Sequence, residues 1–530
     1  MITEDELFRI GSQEKTWNKY CGFLDLTLPE FMDIQQQLLM KQIEVVSDSP
    51  LARRFMPERP RNMSEFRQLV PLTTYDDYAD TLGVKNEELL TAKPYCWACT
   101  SGRGGTSKWV PYTQRAIEVY AMYTAAVAIL ACTTKKGNVN IRSGFRVLHN
   151  LPASPYLSGI MSELLAPQLG ARLIPPQENY SNTDFEKKIE DGFKMTLRTG
   201  ADMLSSMTSV LVRMGERFTE SSGQMKFNRR MLQPQILSRL VLAWLRSKAA
   251  GRGMLPKDLW SFKGLVCYGM DTSIYKERIK YYWGKYPMEL YGATEAGLLA
   301  TNAWNKRYLT FVPSFCFLEF IPEDEWLKNR QDKKYRPGTV LLDDLRTGQL
   351  YEIIITNYHG MPFLRYRLGD LLRCVALEDD EAGIKLPQMA FESRADDLID
   401  IAGFTRLDEK TMWQAIVNTG VRFEDWSARK ENEDGKPIIH LYLELKGTES
   451  SGLEKTIHEQ LLKLSKDYLH LETMLGIRPL KVTVIPSGSF QRYYEERKKE
   501  GADMAHLKPP HMNASDKVIS SLLGTVAEAR

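Results

Sequence analysis

The sequence predicts an α/β fold in two parts. A large N-terminal domain holds mixed or parallel sheets flanked by helices, with an antiparallel β subdomain, and a small α+β C-terminal domain follows. Three observations carry this prediction. Short apolar runs alternate with helix-length amphipathic segments between residues 95 and 312, the pattern of βαβ units. From 311 to 375 the helical segments drop out and strands follow one another directly, as antiparallel pairs do. After residue 397 a strand, a helix and a strand form a separate small set.

Taken in order, residues 1–90 read as mostly helical, with Pro50, Pro57 and Pro60 punctuating helices around the amphipathic stretch 35–46. The parallel part draws on candidate strands 145–148, 171–174, 264–267 and 287–291, with helices over 184–198 and 239–249 between them. Candidate antiparallel strands are 315–321, 349–356 and 371–375. The C-terminal set is a strand over 438–445, a helix over 453–469 and a strand over 479–485. The domains are placed at 1–394 and 395–530.

Four short motifs stand at the joints. Thr100-Ser101-Gly102-Arg103-Gly104-Gly105-Thr106-Ser107-Lys108 follows an apolar, aromatic run. Its glycines allow a tight backbone path, and its N–H groups, hydroxyls and cations are the donors that phosphate oxygens take. The order is not that of a Walker loop, which ends in Gly-Lys-Ser/Thr. Taken alone, such a cluster also has a reading as a surface turn. The second motif is Tyr291-Gly292-Ala293-Thr294-Glu295, after a strand-like run. The third spans Leu364 to Arg373, where Gly369-Asp370 reads as a tight turn between two apolar runs. The fourth runs from Phe391 to Gly403 and contains Arg394, Asp396 and Asp397.

In this order the four motifs resemble the adenylate-forming superfamily of acyl-CoA synthetases, luciferases and peptide-synthetase adenylation domains. Val70-Pro71-Leu72-Thr73-Thr74-Tyr75 and a tail with Gly488-Ser489-Phe490, Gly501-Ala502-Asp503 and Leu507-Lys508-Pro509-Pro510 are most similar to the GH3-type acyl acid amido synthetases. Phenylacetate-CoA-ligase-like enzymes are near neighbours.

The resemblance implies a cofactor set of ATP and Mg²⁺ and a mobile C-terminal domain. Thr100, Ser101, Gly102, Arg103, Gly104, Gly105, Thr106 and Lys108 would grip the β- and γ-phosphates. Tyr291, beside Gly292, would stack on adenine; Thr294 would contact the α-phosphate; Glu295 would hold Mg²⁺. Asp370 would accept the ribose hydroxyls, Arg394 would approach the same sugar, and Asp396 would be the hinge. Lys508 is the implied catalytic lysine, with Lys481 and Lys498 as alternatives, because Ser489 stands where other branches place lysine. Arg103, Ser107 and Ser393 also depart from the wider pattern. His149 reads either as an acyl-pocket residue, as in some relatives, or as a core histidine.

The implied reaction activates a carboxylic acid as acyl-AMP, with release of pyrophosphate, and passes the acyl group to an amino acid or other amine. One alternative is an acyl-CoA ligase that passes it to CoA; another is a non-catalytic nucleotide-binding homologue. With 70 basic and 67 acidic residues, a net charge of +3 points to no nucleic acid and no membrane as partner. The acidic start lacks a secretory pattern, and seven scattered cysteines read as reduced thiols, so a cytoplasmic location is expected. Cys96 and Cys99 form a C-x-x-C without thioredoxin context, the histidines show no metal spacing, and no Gly-x-Ser-x-Gly elbow suggests a hydrolase.

Overall fold

The computed structural model describes residues 12–100, 108–176, 185–221, 233–269, 272–332, 334–401, 405–433, 436–447, 452–465, 468–469, 479–499 and 510–524. The chain divides into two compact units, Met1–Leu368 with Leu372–Phe391, and Gly369–Leu371 with Glu392–Arg530.

The first unit opens with helices, as the proline punctuation predicts. The longest of these, Leu28–Val46, starts at a capping box in which Thr27 and Glu30 satisfy each other's backbone N–H groups, with proline in the first turn. After it, β1 (Cys96–Cys99) and β2 (Trp109–Tyr112) pair as an antiparallel hairpin.

The strands that follow are β3 (Arg146–Asn150), β4 (Arg172–Ile174), β5 (Met203–Met207), β6 (Gly264–Tyr268), β7 (Pro287–Ala293), β8 (Gly297–Asn302) and β9 (Leu309–Phe311). Next come β10 (Cys316–Pro322), β11 (Leu350–Asn357), β12 (Tyr366–Ala376) and β13 (Gln388–Arg394). All eleven join one sheet in the order β10-β11-β12-β13-β9-β8-β7-β6-β5-β3-β4. Pairing is parallel from β4 through β3, β5 and β6 to β7. It turns antiparallel from β7 to β8, from β8 to β9 and from β9 to β13. The antiparallel strands thus continue the parallel sheet, and β7 is the pivot between the two regimes.

Side chains alternate across the parallel strands, and helices cover both faces. Val147, Met203, Val266 and Met288 point to the core built on the helix Gln114–Cys132. Leu148, Leu204, Leu265 and Cys267 point to the other face, with Leu211, Ile279 and Trp283 of the flanking helices. Among the described residues, Gln114–Cys132 is the one helix with the length and hydropathy of a membrane span, and 83% of its apolar window is buried inside the protein; it is the core helix of this unit.

Residues 364–373 differ from the sequence expectation. No tight turn separates two runs at Gly369-Asp370; β12 continues from Tyr366 to Ala376, and Gly369 absorbs the irregularity with a φ of +72°. Buried ion pairs fix the lead-in. Arg365 clamps Glu319 with bonds of 3.0 and 2.9 Å, and Arg367 clamps Glu352 with bonds of 2.8 and 2.6 Å.

In the second unit β14 (Ile399–Ile401) and β15 (Thr405–Leu407) form a short hairpin. Then β16 (Phe423–Glu433), β17 (Lys436–Leu445) and β18 (Leu480–Ile485) make a three-stranded sheet, antiparallel between β16 and β17 and parallel between β17 and β18. Helices Glu409–Asn418 and Leu453–Leu464 supply Met412, Ile416, Ile457 and Leu461 to a core with Trp426 and Leu441. A satellite core of Phe490, Tyr493, Ile519 and Leu522 joins helices Ser489–Lys499 and Asp516–Leu523.

Candidate active site

Parallel strands present their carboxyl ends at one edge, and ligands of open α/β sheets gather where the strand order reverses. That reversal falls at β3, between β4 and β5; the Tyr291 to Glu295 motif lies at the carboxyl end of β7, where parallel pairing gives way to antiparallel, with Tyr291, Gly292 and Ala293 closing β7 and Thr294 and Glu295 in the turn to β8. Its backbone is tightly determined. A Cβ on Gly292 would lie 2.2 Å from the carbonyl oxygen of Gly297, and Gly297 itself has a φ of +64° with Phe315 over it. Tyr112 donates its hydroxyl to the Thr294 carbonyl at 2.7 Å, and Asn357 donates to the Glu295 carbonyl at 2.9 Å.

The Glu295 carboxylate is 8% exposed. Tyr366 donates its hydroxyl to Oε1 at 3.1 Å, and Lys108 Nζ stands 3.7 Å from the same oxygen. These contacts among the described residues fall on Oε1, so Oε2 is the acceptor they leave for a further ligand. Lys108 also lies over the Tyr75 ring, 5.1 Å from its centroid. Tyr75 is anchored by the Trp109 N–H at 2.8 Å, and burial raises its phenol pKa.

Ser101, Gly102, Arg103, Gly104, Gly105 and Thr106 lie outside the described residues. The ends of their loop are fixed. Cys99 pairs with Trp109 across the β1–β2 hairpin, and the Thr100 N–H donates to the Lys108 carbonyl at 3.0 Å. Lys108 and Glu295 therefore join the base of the Ser/Thr/Gly loop to the Tyr-Gly-x-Thr-Glu turn. Tyr291 is 5% exposed, its ring 6.0 Å from that of Phe391. Cys96 and Cys99 lie on β1, and burial pushes the Cys96 thiol up to about 11, against a redox role at neutral pH.

His149 and Asn150 end β3 at the same sheet edge, in register with Ser205 and Ser206 of β5. All four are buried. Among the described residues, neither ring nitrogen of His149 and neither amide atom of Asn150 has a hydrogen-bond partner, an arrangement that native cores rarely leave. Burial holds His149 well below its ordinary pKa, hence neutral. Lys188 reaches in from the helix Phe185–Thr199 and donates to the Leu151 carbonyl at 2.8 Å; burial lowers its pKa to about 8. A small cavity of about 10 Å³ opens nearby, lined by residues including Thr124, Met161, Ser205, Val266 and Tyr268.

In the second unit Arg394 Nε stands 3.8 Å from Asp370 Oδ1, and Asp370 is 6% exposed. Asp396 lies in the 3₁₀ turn Ala395–Asp397 that follows β13. Lys508 lies outside the described residues; of its alternatives, Lys481 is ion-paired with Glu433 and Lys498 is exposed on the helix Ser489–Lys499. Two residues further on, the chain is held firmly. Ser427 donates to the Pro510 carbonyl, and Ala428 N–H donates to the His511 carbonyl, both at 2.7 Å. The His511 ring sits between Glu409 at 2.5 Å and Asp425 at 2.7 Å, stacked on Trp426.

Sequence reasoning assigned no role to Tyr366, although it lies in the third motif, nor to Asn357, Lys188 and His511. The first two reach the motif turn from about 60 to 70 residues away, and no local pattern signals such a meeting. Lys188 sits in a charge-rich helix, where a lysine reads as solvated.

The models of the GH3 family N-terminal, central and C-terminal domains match residues 23–208, 309–394 and 409–517. A relative from Oryza sativa subsp. japonica, "Probable indole-3-acetic acid-amido synthetase GH3.1", is 21% identical over 92% of this chain and 88% of its own length. A solved structure, "AtGH3.15 acyl acid amido synthetase in complex with 2,4-DB", aligns at a TM-score of 0.71 with 16% identity, covering 98% of this chain and 97% of that one. The 2-hydroxyisobutyryl-CoA ligase in its postadenylation state aligns at a TM-score of 0.63 with 14% identity, covering 91% of each chain.

Proposed function

Because this chain belongs to the GH3 family, we propose that it is an ATP-dependent ligase that joins a carboxylic acid to an amino acid or other amine through an acyl-AMP. A carboxylate is a poor electrophile, since its charge repels nucleophiles and oxide is a poor leaving group. Attack of one carboxylate oxygen on the α-phosphorus of ATP breaks the bond to the β-phosphate and expels pyrophosphate. The amine nitrogen then attacks the acyl carbon, AMP leaves with its bonding electrons, and the amine loses a proton. Both steps depend on positioning and charge stabilisation.

The observation that carries the reading is the pairing of Glu295 with Lys108 at the carboxyl end of β7, inside a chain matched by all three family domains. Lys108 would place a cation on the phosphates, with the hydroxyl of Thr100 at the other end of the loop. Thr294, fixed by Tyr112, would face the α-phosphate. Glu295 fits Mg²⁺ as a hard carboxylate with Oε2 uncommitted among the described residues; the ion, when bound, supplies charge neutralisation on phosphate oxygens. Asp370 would take the ribose hydroxyls, steadied by Arg394. With its ring buried, Tyr291 would offer adenine an edge backed by Phe391. Neutral His149, with Asn150 and Lys188, would orient the acid at the carboxyl ends of β3 and β5. Lys508 would neutralise charge during adenylation. All seven cysteines are free thiols, which fits a reducing cytoplasm.

The test is exchange of labelled pyrophosphate into ATP. We expect exchange that requires a carboxylic acid and falls strongly in Lys508→Ala. ATP binding without acid-dependent exchange would leave a non-catalytic nucleotide binder.

A further inference from the structure

A single hydroxyl completes the edge of the β1–β2 hairpin. The Thr100 N–H donates to the Lys108 carbonyl at 3.0 Å, which makes Cys99 and Trp109 a non-hydrogen-bonded pair of the ladder. The N–H and C=O of Trp109 therefore turn away from β1. Tyr75 meets both of them. The Trp109 N–H donates to its phenol oxygen at 2.8 Å, and the hydroxyl donates to the Trp109 carbonyl at 3.2 Å. A hydroxyl accepts and donates through one atom, so this side chain does for Trp109 what a third strand would do.

The same residue touches the side chain before Trp109. Lys108 Nζ lies 5.1 Å from the centroid of the Tyr75 ring and 3.7 Å from Glu295 Oε1. Tyr75 is also tied to the strand that brings Tyr366 to Glu295. Thr73 N–H donates to the Arg365 carbonyl at 3.0 Å, and Arg367 N–H donates to the Thr73 carbonyl at 2.8 Å. The Thr73 hydroxyl donates to the Leu364 carbonyl at 2.7 Å. Rings continue the link, with centroids 6.5 Å apart from Tyr75 to Phe363 and 4.4 Å apart from Phe363 to Tyr366. The segment Thr73–Tyr75 thus grips both contacts of the Glu295 carboxylate, Tyr366 through Thr73 and Lys108 through Tyr75.

We propose that Tyr75 is the positioning residue for Lys108. Its hydroxyl fixes the backbone next to the lysine, and its ring face holds the ammonium beside Glu295. A lysine is a point charge on a flexible four-carbon stem, and a stem ordered before phosphate arrives loses less freedom on binding. The inference rests on the reading of Lys108 as a phosphate ligand.

The test is calorimetric titration of the full chain with ATP in the presence of Mg²⁺, for the wild type, Tyr75→Phe, Lys108→Ala and the double variant. Tyr75→Phe keeps the ring and removes the hydroxyl. It should raise the Kd for ATP about fivefold, and Lys108→Ala should raise it at least about tenfold. Because Tyr75 acts through Lys108, the double variant should match Lys108→Ala within about twofold. Losses that add in the double variant would make Tyr75 a support of the hairpin alone and overturn the proposal. An unchanged Kd in Tyr75→Phe, or in Lys108→Ala, would overturn it as well. Wild-type binding of ATP without acid-dependent pyrophosphate exchange would instead refute adenylation, with the coupling of Tyr75 to Lys108 still read from the Kd values. A wild type that does not bind ATP would refute both.

Discussion

Replacing Arg365 with methionine tests how the chain holds the strand that carries Tyr366. Arg365 is 7% exposed and Glu319 is 1% exposed. The guanidinium grips both carboxylate oxygens and also donates to the carbonyls of Arg67 and Val70 at 2.5 and 2.8 Å. Arg365→Met leaves Glu319 with Arg67 at 3.1 Å and Thr339 at 2.7 Å, both on Oε1. The bond that Arg365 makes to Oε2 is lost. Breaking a buried ion pair costs about 3–5 kcal/mol; Arg67 offsets part of it, while the two carbonyls add back roughly 1–3 kcal/mol. We expect a net loss of about 4 kcal/mol in the first unit. Urea unfolding followed by probes in each unit separately should show it, since a chain of this size need not unfold in one step. Glu319→Gln in the Arg365→Met background should recover part of the loss, because the stranded charge is gone. A loss below about 1 kcal/mol, or no recovery in the double variant, would refute the argument. Turnover should fall as well, because Tyr366 follows directly and holds Glu295.

Three further predictions follow from particular contacts. Gly297→Ala forces a side chain into a φ of +64° with its Cβ 2.3 Å from Phe315; a loss of about 2 kcal/mol or more in urea unfolding is expected, with lowered pyrophosphate exchange. Asp370→Asn keeps the shape but weakens acceptance of ribose hydroxyls, so the KM for ATP should rise about tenfold with unfolding unchanged; an unaltered KM would remove Asp370 from the nucleotide site. Burial alone would lower the pKa of His511, but Asp425 and Glu409 raise it from 6.5 to about 9. Its stabilising contribution is therefore complete below pH 6.5 and is lost as pH rises through about 9. Urea unfolding of the C-terminal unit should show that loss between about pH 7 and pH 10, and His511→Gln should flatten it; an equal pH dependence in the variant would contradict the assignment.

How much was readable from the sequence follows from local physics. The runs at 145–148, 264–267 and 287–291 are short, apolar and rich in strand formers, and the structure has strands there within one or two residues. The strand Met203–Met207 escaped because Ser205 and Ser206 interrupt it, although both are buried in the sheet. Continuity between the parallel and antiparallel strands also escaped, since β9 pairs with β13 across almost eighty residues and pairing leaves no mark in either segment. Gly369-Asp370 carries the composition of a turn, yet a single left-handed glycine is enough to keep an extended strand going. At the candidate site, Glu295 and Lys108 were legible because each lies in a motif. Asn357, which holds the Glu295 turn, lies in no motif, and Tyr366, though it lies in the third motif, meets Glu295 only through the sheet.

The central claim is amide synthesis by way of an acyl-adenylate. The most direct measurement is mass spectrometry of products after incubation with ATP, Mg²⁺ and pooled carboxylic acids, with pooled amino acids in one reaction and CoA in the other. The account predicts an acyl-amino acid whose appearance matches AMP release one to one. An acyl-CoA with no amide under the same conditions would contradict it.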